Sequence, residues 1–100
     1  MAKNFTSEGW IDNIGKTGSL DTPEKGILTF KILDEIRRQQ TNLDTKVIYL
    51  QRVRFEDGHI ELRLCYYMKR ENWIFGRFAA LLPESDFKAI TDEAILRGWI

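Results

Sequence analysis

Residues 22–40 read TPEKGILTFKILDEIRRQQ, and the architecture turns on whether this run is wound or extended. Asp21 or Thr22 can cap a helix, Pro23 suits the first helical position, and Glu24 favours the positive end of the helix dipole. Ile27, Leu28, Phe30, Ile32, Leu33 and Ile36 recur at three- and four-residue spacing and form a broad apolar stripe. Arg37 and Arg38 fall at the end where cations are favoured, and Gln39–Asn42 reads as the exit. The pattern predicts a helix over 22–40. Gly26 weakens its first turn by about 1 kcal/mol relative to alanine, and 26–33 is also compatible with a strand.

The next segments are easier to read. Residues 46–56 are β-branched and aromatic, with Val47, Tyr49, Val53 and Phe55 alternating. Asp57-Gly58 is a strong hairpin signal. Residues 59–69 alternate: Ile60, Leu62, Leu64, Tyr66 and Met68 point one way, and Glu61, Arg63, Cys65, Tyr67 and Lys69 the other. Arg70–Asn72 makes a second turn, and 73–80 a third strand. Leu82–Asp86 then opens a last helix with a proline and acids at its positive end. Phe87, Ile90, Ala94 and Leu96 supply its buried side. Glu84–Lys88 and Glu93–Arg97 are favourable i,i+4 pairs. Gly98 reads as the stop, with Trp99 folding back on it.

The expected fold is therefore α+β: a two-layer α-β-β-β-α arrangement, with a three-stranded antiparallel meander packed on two helices. Residues 1–20 form an N-terminal arm, and 21–100 a single domain. The arm carries Phe5, Trp10, Ile11, Ile14 and Leu20, residues for which a solvated tail has no use. They are expected to pack on the domain, or Trp10 and its neighbours to dock on a partner. The double-stranded-RNA-binding domain has the same element order. Its basic cluster at the start of the last helix is replaced here by the acidic Pro83-Glu84-Ser85-Asp86, so the order alone carries no function.

Composition narrows the classes. The 100 residues are 43% hydrophobic and 30% charged, ordinary for a folded domain. Fifteen basic and fifteen acidic side chains cancel, which argues against a protein that grips duplex DNA by neutralising phosphates and favours self-association. One cysteine excludes an internal disulfide. No signal-peptide run and no membrane span is seen, so a cytoplasmic setting is expected.

No catalytic constellation emerges. Gly9 and Gly15 enclose five residues before Lys16-Thr17, where a phosphate-binding loop needs four. His59 and Cys65 sit about 20 Å apart on one expected strand, too far for a dyad. One histidine and one cysteine cannot build a structural zinc site. Asp34-Glu35 and Asp92-Glu93 read as solvated helix faces. A non-enzymatic protein without cofactor or metal is expected.

The remaining candidate is the sheet face opposite the helices. The middle strand would show Arg63, Tyr67 and Lys69 there. Its neighbours would add Arg52 and Arg54 on one side, and Trp73, Phe75 and Arg77 on the other. Residues 46–80 carry seven basic and four acidic side chains. Arginine mixed with aromatic rings suits protein interfaces and also the stacking of bases. The sequence therefore predicts a protein-interaction module, joined to a partner or to a second copy through this face or the Trp10 arm. Single-stranded nucleic acid or RNA on the same face is the alternative.

Overall fold

The computed structural model describes residues 4–100; Met1–Lys3 of the arm lie outside the described residues. Five strands follow one another as an antiparallel meander: β1 (Thr17–Thr22), β2 (Gly26–Gln39), β3 (Lys46–Phe55), β4 (Ile60–Lys69) and β5 (Trp73–Phe75). One helix, α1 (Glu84–Leu96), closes the chain. The sheet curls into a half-barrel. The expected three-stranded meander on two helices is thus overturned: the segment 22–40 is a hairpin arm and a 14-residue strand.

The reason lies in two local features. Gly26 has φ +72°, a left-handed conformation that ends a tight turn and that no helix interior accepts. Thr22 secures that turn, its hydroxyl accepting from Lys25 N–H at 3.1 Å and donating to Gly26 C=O at 2.8 Å. The second feature is a bulge. The β2–β3 register slips between Ile32 and Asp34, so Leu33 is the extra residue. Before it, Leu28, Phe30 and Ile32 point to one face; after it, Glu35 and Arg37 take that face and Ile36 crosses to the other. A strand that changes parity in its middle spaces its apolar residues like a helix.

β3 and β4 occupy the expected segments, whereas the third expected strand shrinks to Trp73–Phe75. Gly76 then passes so close to Tyr66 that a Cβ there would lie 2.1 Å from the ring. α1 also forms where expected, but of its expected buried side only Ile90 and Ala94 are buried, while Phe87 and Leu96 are exposed and Asp86 takes an inward place. Gly98 N–H bonds Ile95 C=O and Trp99 N–H bonds Ala94 C=O, giving the predicted stop. Glu93–Arg97 pairs at 3.0 Å, but Lys88 turns to Asp92 rather than Glu84.

The sheet has two unlike faces. On the helix face, Ile90 and Ala94 of α1 pack on Ile36, Ile48 and Tyr66, with Trp99 and Met68 at the margin. On the other, here the arm face, Trp10 packs against Val47, Tyr49 and Cys65, and Phe30, Ile32, Val53 and Phe55 form a further cluster. β3 is buried on both faces over 46–49 because the arm lies over one side and α1 over the other.

Candidate binding faces

The arm is an integral part of its face. Tyr49 donates its hydroxyl to Ile11 C=O at 2.6 Å, Trp73 Nε1 donates to Gly9 C=O at 2.9 Å, and Asn13 Nδ2 donates to the Tyr67 hydroxyl at 3.1 Å. Burial pushes both tyrosine hydroxyls above their ordinary range, and Tyr67 in turn donates to Asn13 Oδ1 at 3.3 Å. The residues 17–20, expected in the arm, belong to β1.

Beneath the arm lies a polar relay. Glu35 is 2% exposed and Gln51 0%. The Glu35 carboxylate accepts from Asn13 N–H at 3.0 Å, from Arg37 Nε at 3.1 Å and from Gln51 Nε2 at 2.6 Å. Arg37 also reaches Asp12 at 2.8 Å. A buried carboxylate is tolerable only with this many charge-assisted bonds. Gln51 Oε1 then accepts from Arg63 Nε at 2.8 Å. The Arg63 guanidinium lies over the Phe30 ring at 5.0 Å and the Phe75 ring at 5.4 Å. The expectation that Asp34-Glu35 is a solvated face is overturned: Glu35 is the centre of the arm face, and Asp34 pairs with Arg97 at 3.2 Å.

The expected site residues separate into two groups. Arg63, Tyr67, Lys69, Trp73 and Phe75 share the arm face with Trp10. Tyr67 and Trp73 are engaged by the arm, and Lys69 Nζ rests over the Trp73 ring at 5.1 Å. Arg52 and Arg54 lie on the helix face, opposite Leu62 and Ile60 in the register. Arg77 is exposed beyond the end of β5. His59 stacks on Phe55 and pairs with Asp57 and Glu61. These hydrogen bonds, Glu61 first, raise its pKa above 6.5. Among the described residues no group of three or more His, Cys, Asp or Glu could hold a metal ion.

The helix face supplies what the sequence did not reveal. α1 is anchored at its start by Asp86, whose carboxylate is 0% exposed and accepts from Arg38 Nε at 2.7 Å, Thr41 N–H at 2.9 Å and the Thr41 hydroxyl at 2.5 Å. At its end Arg97 reaches Asp34 and Glu35 C=O. These ties lay α1 along the second half of β2. Thirteen residues span about 20 Å as a helix, whereas ten span about 33 Å as a strand. One helix therefore leaves the far half of this face open. Ile60, Leu62 and Leu64, expected beneath helices, stay 37–40% exposed, with Arg52, Arg54 and Lys31 on the adjoining strands. Missing lengths were the clue: with no second helix, half the face has no cover.

No protein-family model matches this chain, and no curated protein or solved structure matched it in comparison. No helix is long and apolar enough to cross a membrane among the described residues.

Proposed function

We propose that this chain is a non-enzymatic protein-interaction module that pairs with a second copy of itself through the helix face. The half-covered state of that face carries the reading. α1 fills one half, and an apolar stripe of Ile60, Leu62 and Leu64 lines the other. Two such faces brought together across a two-fold axis put each α1 on the open half of the opposite copy. Both helices then lie side by side in one layer between two sheets.

The surfaces suit each other chemically. Beside its buried residues α1 exposes Phe87 at 53% and Ile95 at 55%. Outside the buried Asp86, Glu84, Asp92 and Glu93 against one lysine leave α1 acidic, and the open half carries Lys31, Arg52 and Arg54. Apolar contact supplies affinity, and the opposite charges favour this orientation over others. A cytoplasmic setting fits the single thiol, Cys65, which is buried.

The nucleic-acid alternative requires cations and free rings on one surface. Arg52 and Arg54 are separated by the sheet from Arg63, Tyr67 and Trp73, and two of those rings are tied to the arm. The geometry therefore favours protein pairing.

The test is mass by light scattering at two concentrations, for the wild type and for Leu62→Glu. Leu62 is 38% exposed, so the substitution leaves the monomer's fold intact, which far-UV circular dichroism checks. The wild type is expected to run as a dimer and Leu62→Glu as a monomer. A wild type that stays monomeric at high micromolar concentration would sink the proposal.

A further inference from the structure

We infer that the recess beside Arg63 on the arm face is a binding site for a small carboxylate with a one-ring or branched apolar body. The recess measures about 200 Å³ and is walled by Leu20, Phe30, Val53, Phe55 and Arg63, with Ser19, Glu61 and Leu62 completing its lining. It lies on the side of the sheet away from α1 and does not depend on pairing.

Three observations converge on an anion. First, the Arg63 guanidinium is held between the Phe30 and Phe75 rings and oriented at Nε by Gln51 and, through it, the buried Glu35. Second, no carboxylate among the described residues forms an ion pair with it. Glu61 is at the rim, but its carboxylate is turned to His59 Nε2 at 2.7 Å. Third, Cys65 is the other polar group beside it, and burial pushes that thiol up to about 11, so it supplies no counter-charge. Among the described residues the two terminal Nη groups donate to no protein oxygen. Arginine presents these donors as a planar fork that matches a carboxylate. Holding the fork by its Nε edge and leaving the rest open is the arrangement of a receptor, whereas a structural arginine is usually paired.

The class of anion follows from charge and size. One guanidinium matches a monoanion; a phosphate dianion would need further cations, and none lines the recess. The walls are mainly aliphatic and aromatic, with Ser19 and Glu61 the polar exceptions, so the body of the ligand is apolar. A volume of about 200 Å³ is below the usual range of roughly 300–1,000 Å³ for drug-sized ligands, which limits the body to one ring or a short branched chain.

The experiment is an NMR titration of the full chain with phenylacetate, phenylacetamide, 4-methylpentanoate and inorganic phosphate, following the Arg63 Nε–Hε resonance. Both carboxylates are expected to shift it saturably, with phenylacetamide and phosphate at least about tenfold weaker. Arg63→Gln is expected to lose binding by a similar factor. Leu20→Glu, on the solvent-exposed wall, repels the anion without touching the relay, and serves if Arg63→Gln does not fold. No shift at millimolar carboxylate, equal binding of acid and amide, equal binding of phosphate, or undiminished binding by Leu20→Glu would each overturn the inference.

Discussion

Asp86 shows how one residue can set the position of an element. From the sequence it is an acid in the first turn of a helix, a mild electrostatic preference. In the fold it is the clamp between α1 and the β2–β3 connection, fully enclosed and bonded to Arg38 and Thr41. Burial alone would raise its pKa. The Thr41 hydroxyl and amide and the Arg38 guanidinium outweigh that and hold the carboxyl below its ordinary 3.8. A depressed folded-state pKa contributes stability that is fully present above 3.8 and lost as pH falls through the lower folded value. Asp86→Ala is expected to cost about 2–4 kcal/mol in urea denaturation at neutral pH. Asp86→Asn is expected to lack the wild type's added loss of stability below the ordinary carboxylate range. An Asp86→Ala variant within 0.5 kcal/mol of wild type, the ordinary scatter of surface changes, would contradict the clamp. Glu35 and Gln51 teach the same lesson at the centre of the arm face. Polar residues at inward parity are legible as burial only once the register is known.

At the scale of elements, the alternating residues of β3 and β4 were legible because period-two patterning is a direct image of a half-buried strand. α1 was legible from its acids and its glycine stop, though its buried side was not: Ile90 and Ala94 are inside, but Phe87 and Leu96 are exposed. β2 was not, because Leu33 makes the strand change sides. Phe30 and Ile32 face the arm, Ile36 faces α1, and the resulting four-residue step from Ile32 to Ile36 imitates a helix. This explanation has a consequence. Deleting Leu33 leaves Ile32 opposite Val53 and Asp34 opposite Arg52 in unbroken alternation, so Glu35 stays on the arm face and Ile36 on the helix face. The deletion is therefore expected to keep a cooperative thermal transition. Loss of that transition would mean that Leu33 is not the extra residue of the bulge.

For the molecule as a whole, the candidate surface was half legible. The sequence identified arginines and rings near one another on the middle strand, and Arg63, Tyr67 and Phe75 do share a face. It did not separate Arg52 and Arg54 from them, since the parity of an outer strand is fixed by pairing rather than by its own residues. Nor did it expose Leu62 and its neighbours, which alternation marks as inward whether or not anything covers them. Cover is a property of the whole chain: one helix of about 20 Å spans little more than half of a 33 Å strand. The most direct test of the pairing is an isotope-filtered NOE experiment on a sample mixing labelled and unlabelled chains. Contacts between copies are expected from the Ile60 and Leu62 methyls to the Phe87 ring and the Ile95 methyls of α1. Intermolecular contacts confined to the β1 or β5 edge, or none at all, would contradict it.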